Sequence, residues 1–184
     1  MLSGSGRTLA NLLEHIGQGS LAASVALVIA SRECAGAERA RAAGIQTLVI
    51  PGNIPPANLD HLLTQHHIDL VVLAGYLRLV AVPEAWRGRI LNIHPALLPE
   101  FGGPGMYGDR VHQAVLDRGR TESGCTVHIV DDRYDSGPII AQARVPVLPG
   151  DTAAALAARV FEAECRLYPA ALQQVLAGRV GKDG

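Results

Sequence analysis

An α/β fold is predicted: a doubly wound, mainly parallel Rossmann-like sheet with an antiparallel portion toward the C-terminus and a truncated first strand. Three features carry that prediction. The runs Ser24–Ala30 and Leu70–Ala74 are continuously apolar over strand length, as expected of parallel strands covered on both faces. Segments with helical spacing separate the strands, so strand and helix alternate along the chain. Neither an internal repeat nor a linker interrupts the alternation, and 184 residues suffice for one domain with a substantial core.

Apolar residues make up 48% and charged residues 18%, the balance of a folded protein rather than a disordered chain. A net charge of −1 leaves no basic field to hold nucleic acid. No apolar run is long enough to cross a bilayer and none follows a basic leader, so neither a membrane partner nor secretion is expected. Cys34, Cys125 and Cys165 are scattered, odd in number and at no zinc spacing. They are expected as reduced structural thiols in a cytoplasmic protein.

Met1 and Leu2 run straight into S-G-S-G-R-T-L, after which Leu9, Leu12, Leu13 and Ile16 recur at helical spacing. A glycine turn feeding a helix N-terminus favours an anion, because free N–H groups and the helix dipole point at it. The turn is no dinucleotide fingerprint, since Leu9 stands at the third glycine position, and no P-loop, which needs Gly-Lys-Ser/Thr. An ordinary helix start is the plainer alternative. Ala35–Ala43 is an alanine- and arginine-rich helix closed by Gly44. A brief strand at Thr47–Ile50, the breaker-rich Pro51–Pro56 and a helix over Ala57–His67 follow. His61, His66 and His67 lie on a polar stretch there, and neighbours His66 and His67 do not share a face, so no metal site is expected. Beyond the Leu70–Ala74 strand, Pro83 and Trp86 belong to a short helical turn.

The stretch R-I-L-N-I-H-P-A-L-L-P, Arg89 to Pro99, holds the first chemistry. Ile90, Leu91 and Ile93 favour a strand, and Pro95 stops its ladder. Asn92 and His94, two residues apart, project to one face at the carboxyl end of a buried strand. Open α/β sheets place their ligands there; satisfying strand-end backbone is the competing role. Leu97–Tyr107 contains Gly102, Gly103, Pro104 and Gly105 in succession and reads as a mobile loop, a candidate lid, with a plain surface connection as the equal alternative. Asp109–Arg118 is a helix. Gly124–Val130 alternates as a strand, with Thr126 and His128 opposite Cys125, Val127 and Ile129, and Ile139–Val147 is the last strand. Asp131, Asp132 and Asp135 lie between those two strands as turn residues. Asp151 or Thr152 caps a long helix running from Ala153 past Pro169 to Leu176.

Taken together these pieces resemble the N10-formyltetrahydrofolate-dependent formyltransferases. The family's S-G-x-G-S-N-L reads here as Ser3 to Leu9, its G-[FY]-[ML]-R as Gly75 to Arg78, and its L-N-I-H-P-[SA]-L-L-P as Leu91 to Pro99. Its G-x-[ST]-V-H and D-x-G-P-I are Gly124 to His128 and Asp135 to Ile139. The V-P-V…G-D-T segment is Val145 to Thr152, and the helical A-R-V-x-x-x-E is Ala158 to Glu164. The resemblance runs in register over nearly the whole chain and implies one formyltransferase domain over residues 1–184.

It also implies an enzyme of purine biosynthesis, in which the amine of N1-(5-phosphoribosyl)glycinamide attacks the formyl group of 10-formyltetrahydrofolate. Asn92, His94 and Asp135 would be the catalytic residues. The Asn92 amide and the His94 ring suit a developing oxyanion. A carboxylate at Asp135 would raise the histidine pKa, favour imidazolium and orient the ring. Asp135 would also help move the proton from the attacking amine to the folate nitrogen. By the same resemblance Gly6, Arg7 and Thr8 would hold the ribose-phosphate, and Glu164 the glycinamide amino group. Leu77, Arg78, Leu79, Val80 and Asn92 would form the folate site. The folate is a co-substrate, no metal is required, and the partners implied are small molecules, with a monomer or homodimer equally compatible.

The sequence departs from the family pattern in three places. Arg7 and Thr8 stand where Ser-Asn is common, which keeps the backbone donors and adds a charge-assisted one. The shortened Pro51–Pro56 connection has no counterpart of an arginine that often reaches the folate. The first strand is reduced to Met1-Leu2, which is expected to leave neighbouring backbone unpaired. Either the true start lies upstream or the chain folds with a damaged first strand. Two relatives compete for the activity. Formyltetrahydrofolate deformylase shares the Asn-His-Asp set but uses water as acceptor and usually carries an extra N-terminal domain. Methionyl-tRNA formyltransferase would need an RNA-binding domain and a basic surface. A non-catalytic folate- or phosphosugar-binding module is the reading from a different class.

Overall fold

Short parallel strands and helices alternate through the first half of the chain, as the apolar runs require. The computed structural model describes residues 1–178. Internal contacts gather into two units, Met1–Asn92 with Val130–Asp132, and Ile93–Ile129 with the chain from Arg133 onward.

The first unit runs α1 (Arg7–Gly17), β1 (Val28–Ala30), α2 (Ala35–Ala42), β2 (Thr47–Val49), α3 (Pro56–Gln65), β3 (Val71–Leu73), a 3-10 turn at Glu84–Trp86, and the start of β4 (Ile90–His94). β1 pairs with β2 in parallel, Val28 opposite Thr47, and β3 pairs in parallel with β4, Leu73 opposite Asn92. Two apolar clusters hold these elements. Leu2, Leu9, Val28, Ala30, Ala37 and Ala40 form one, and Ile29, Leu59, Leu63, Val71, Leu73, Trp86 and Ile90 lie within the other. The mixed α/β class is as predicted.

β1 is shorter than the apolar run Ser24–Ala30. A strand needs a neighbour to supply its ladder, and β2 is only three residues long. The truncated first strand also behaves differently from expectation. Leu2 makes a parallel bridge to Ala30, its N–H donating to the Ile29 carbonyl at 3.0 Å and its carbonyl accepting from Ser31 at 3.1 Å. On the other side, Ala74 N–H donates to the Met1 carbonyl and Ser3 N–H to the Gly75 carbonyl, at 2.8 and 3.0 Å. The Met1 amino group donates to the Val72 carbonyl, and burial lowers its pKa to about 5. Three residues therefore pair Ile29, Ser31, Val72, Ala74 and Gly75, which were expected to be orphaned.

The second unit contains α4 (Asp109–Asp117), β5 (Glu122–Ile129), β6 (Ile139–Pro146) and α5 (Ala153–Leu176). β5 and β6 are antiparallel, Glu122 opposite Pro146 and His128 opposite Ile139, with a register shift between Val127 and His128. Gly124 permits their approach, since a Cβ there would lie 2.0 Å from the Ala143 carbonyl oxygen. The glycine of the G-C-T-V-H stretch is thus a packing requirement. α5 packs on β5, β6 and α4, burying Leu156, Val160, Ala163, Tyr168 and Leu172. Its start is fastened twice. The Thr152 hydroxyl accepts from Ala155 N–H, and Asp151 takes a two-pronged contact from Arg159 at 2.6 and 3.0 Å. Arg159 and the Leu148 N–H hold the Asp151 carboxyl down at about 2. Among the described residues no helix is long and apolar enough to cross a membrane.

Candidate active site

β4 ends at the Pro95 break, and its last residue, His94, is 3% exposed. The two groups nearest its ring nitrogens, from Phe101 and Asp135, are supplied by loops of the second unit. Nε2 donates to the Phe101 carbonyl at 2.8 Å. Nδ1 faces Asp135 Oδ2 at 3.4 Å, and Asp135 Oδ1 faces His128 Nε2 at 3.6 Å. The carboxylate is anchored by the Gly103 N–H, 3.0 Å from Oδ2, and His128 Nδ1 donates to the Ile129 carbonyl at 2.9 Å. The predicted pair His94–Asp135 is therefore brought together, with a second histidine on the far side of the carboxylate.

Electrostatics here corrects one expectation. His94 was expected to be raised by Asp135, yet its pKa is lowered, because burial outweighs the favourable Asp135 charge and the Phe101 carbonyl. The error lies in weighing the partner without the desolvation that accompanies it. For Asp135, burial is the largest influence and pushes upward. The hydrogen bond with His128, the His94 charge and the Gly103 N–H together overcome it and hold the carboxyl below its ordinary range. The arrangement therefore presents an anionic carboxylate to a ring whose neutral form is favoured by burial. New negative charge nearby would draw a proton onto that ring.

The segment expected to be a mobile lid is fastened over its first half. Thr126 Oγ1, fully buried, donates to the Ala96 carbonyl at 2.7 Å and accepts from the Leu98 N–H at 3.0 Å and Gln142 Nε2 at 2.9 Å. Gln142 Nε2 also reaches the Leu98 carbonyl at 3.0 Å. The Leu98–Pro99 peptide is cis. Gly102 has no room for a side chain, since a Cβ would meet Leu98 Cδ2 at 2.6 Å and Asp135 Cβ at 3.1 Å. These bonds were not legible in the sequence, because glycine and proline content reports backbone permissiveness, not tertiary anchoring.

The other predicted residues fall where their motifs place them. Asn92, half-buried, is the third residue of β4, in the first unit. Gly6 caps α1 in the left-handed conformation at φ 73°, and a Cβ on it would lie 2.6 Å from Gly36 Cα, so α1 and α2 meet glycine to glycine. Arg7 and Thr8 open α1, with no side-chain cap at its start. Ser3 ties this turn to the next motif: its hydroxyl accepts from Leu77 N–H at 3.0 Å and from Ser31 Oγ at 2.7 Å. Arg32 Nε donates to the Ser3 carbonyl at 2.9 Å. In that motif Leu77 and Leu79 are exposed at 45% and 39%, Arg78 is also exposed, and Val80 is buried. Two exposed leucines flanking Arg78 are apolar surface that suits an apolar ring. Glu164 lies on α5 in the second unit, where its charge, after burial, helps push the Cys125 thiol up to about 12. Among the described residues no cluster of three or more His, Cys, Asp or Glu is arranged to hold a metal.

Phe101, Thr126, His128 and Gln142 were not singled out as site residues. The alternation that put Thr126 and His128 on one strand face and the G-x-[ST]-V-H match both included these two, without giving either a role. A left-handed φ of 61° at Phe101 has no local signature.

This architecture and this set of residues belong to a known family. Residues 1–172 match the formyl transferase family, and the chain belongs to it. Among its relatives, the chloroplastic phosphoribosylglycinamide formyltransferase of Arabidopsis thaliana is 44% identical over 177 residues, 91% of this chain and 61% of that protein. The chain thus spans about three-fifths of that relative's length. Glycinamide ribonucleotide transformylase 1 from Symbiobacterium toebii superposes with a TM-score of 0.89 at 41% identity, covering 100% of this chain and 88% of that one. A formyltetrahydrofolate deformylase from Pseudomonas syringae pv. tomato gives 0.83 at 25% identity, covering 97% and 61%.

Proposed function

We propose that the protein transfers the formyl group of 10-formyltetrahydrofolate to the amine of N1-(5-phosphoribosyl)glycinamide. The observation that supports this reading best is the buried His94–Asp135–His128 arrangement at the end of β4, in a chain of the formyl transferase family. The relatives named for this acceptor are the more similar, at 41% and 44% identity against 25% for the deformylase.

In this reading the glycinamide nitrogen attacks the formyl carbon, and the carbonyl electron pair moves onto oxygen. The Asn92 amide donates to that oxyanion, as does His94, whose proton affinity rises as negative charge develops beside it. Collapse of the tetrahedral intermediate breaks the bond between carbon and the folate N10. The proton lost by the amine passes to N10, with Asp135 as the local base and acid. Products are the N-formylated ribonucleotide and tetrahydrofolate, so atoms and charge balance with no covalent enzyme intermediate.

Substrate binding follows the family pattern. Gly6, Arg7 and Thr8 offer the uncapped start of α1 and a guanidinium to the ribose-phosphate. Glu164 takes the glycinamide amine, and Leu77, Arg78, Leu79, Val80 and Asn92 take the folate. Residues 1–184 act as one formyltransferase domain, in the cytoplasm, as monomer or homodimer, with small molecules rather than nucleic acid or membrane as partners.

The test is formyl transfer by the 184-residue protein, run with and without the ribonucleotide acceptor. Acceptor-dependent release of tetrahydrofolate is expected. Release at the same rate without acceptor would point to hydrolysis instead, and folate binding without turnover to a binding module.

A further inference from the structure

We infer that the Phe101 main-chain carbonyl is a positioning group for His94, selecting which ring nitrogen faces Asp135, and that Arg118 and Glu100 hold Phe101 in the backbone conformation this requires. The inference rests on the reading of His94 as the donor to the formyl oxygen.

Four observations converge on it. The first is conformational. Phe101 sits at φ 61°, in the left-handed region that L-residues rarely adopt. Gly102 and Gly103 follow immediately and would adopt it readily. A phenylalanine persists there only if its surroundings over-determine it. The second observation names those surroundings. Phe101 is 7% exposed, the Arg118 guanidinium lies 4.9 Å from its ring centroid, and Glu100 pairs with both Arg118, at 3.6 Å, and Arg120.

The third is what the strained carbonyl does. A main-chain carbonyl only accepts, so the nitrogen 2.8 Å from it must carry a proton. The Phe101 carbonyl thereby places the proton on Nε2 and turns Nδ1 toward Asp135. The fourth is that the same short segment holds the other partner. Gly103, two residues on, donates to the Asp135 carboxylate, and Asp135 is itself left-handed at φ 54°. Segment 101–103 thus brackets the pair, with an acceptor on one nitrogen and a clamp on the carboxylate that faces the other. Both nitrogens then face acceptors, so only the imidazolium satisfies both. The 3.4 Å gap at Nδ1 leaves that proton free to be shared with a developing oxyanion.

The test separates the carbonyl's direction from the ring's bulk. Phe101→Gly and Phe101→Val both remove the ring, but glycine keeps the left-handed conformation and a β-branched valine does not. Imidazole NMR on the full chain reads the His94 tautomer and titration against its facing groups Asp135, His128 and His112. Steady-state kinetics read kcat and KM. Phe101→Gly is expected to keep the Nε2-protonated tautomer and to stay within about threefold of the parent kcat. Phe101→Val is expected to lose that tautomer, titrate at lower pH, and lose about tenfold or more in kcat, with both KM values within about threefold. Phe101→Tyr should behave as the parent. Should the valine variant not fold, Arg118→Gln is expected to move the His94 titration the same way by a smaller amount. An unchanged His94 titration in Phe101→Val or Arg118→Gln, or equal losses in the glycine and valine variants, would overturn the inference. Absence of formyl transfer by the parent protein would instead sink the proposed function and leave the NMR result standing.

Discussion

Removing one hydroxyl, Thr126→Val, should loosen the entire connection behind His94. The Thr126 oxygen is used to capacity: it donates once, to the Ala96 carbonyl, and accepts twice, from the Leu98 N–H and Gln142 Nε2. Valine has nearly the same shape, so no cavity forms and packing changes little. What changes is satisfaction. The Leu98 N–H and the Ala96 carbonyl lose their Thr126 partner, in residues 6% and 0% exposed, while Gln142 keeps its bond to the Leu98 carbonyl. Each buried group left unpaired costs about 1–3 kcal/mol, so the two together are expected to lower the unfolding free energy by about 2–6 kcal/mol, less if water enters. Urea denaturation gives that number, with Thr126→Ser as the control that keeps the hydroxyl. Because Ala96 and Leu98 lie two and four residues beyond His94, kcat should fall in Thr126→Val and recover in Thr126→Ser. A valine variant within about 0.5 kcal/mol of the parent, the scatter of neutral substitutions, and with unchanged kcat would refute the reasoning.

Other expected outcomes follow from the same geometry. His94→Ala and Asp135→Ala should each lower formyl transfer by well over tenfold, since one oxyanion donor is worth ~10²–10³; near-parental rates in either would contradict the roles proposed. Gly124→Ala puts a methyl 2.0 Å from the Ala143 carbonyl and should destabilise by about 3 kcal/mol or more, read as a fall in the urea midpoint. Stability should also fall on acidification in two stages. Burial lowers the folded pKa of His94 and His112 below 6.5, so the unfolded chain takes up more protons as pH drops through that value. Their contribution is complete above 6.5 and declines below it. Asp135 and Asp151, held below 3.8, add a second loss at more acid pH. Urea midpoints equal at pH 8 and 5.5 would rule out the first stage, and His112→Gln should weaken it.

Much of the fold was legible because its signals are local. Continuous apolar runs mark β1 and β3, helical spacing marks α1, and the Thr152 cap marks the start of α5. Strand periodicity put Asn92 and His94 together, and a family pattern supplied Asp135. Other features could not be read this way. The length of β1 depends on how much chain lies beside it. Pairing by Met1–Ser3 depends on two neighbours distant in sequence. The Gly-Pro loop looked free because composition reports what backbone is permitted, while Thr126, Gln142 and Asp135 decide what it does.

The residues at the end of β4 show the division most clearly. The sequence by itself determined that an amide and an imidazole stand two apart at a strand end, because side-chain alternation and proline's missing N–H are local, while the family pattern pointed to Asp135 among three turn aspartates. Only the tertiary structure decided the state of that histidine. Its pKa direction is set by how completely the chain excludes water, and its tautomer by a Phe101 carbonyl whose position depends on Arg118 and Glu100. Desolvation and long-range hydrogen bonding depend on the whole surroundings of a group, and a linear pattern of residue types does not encode them.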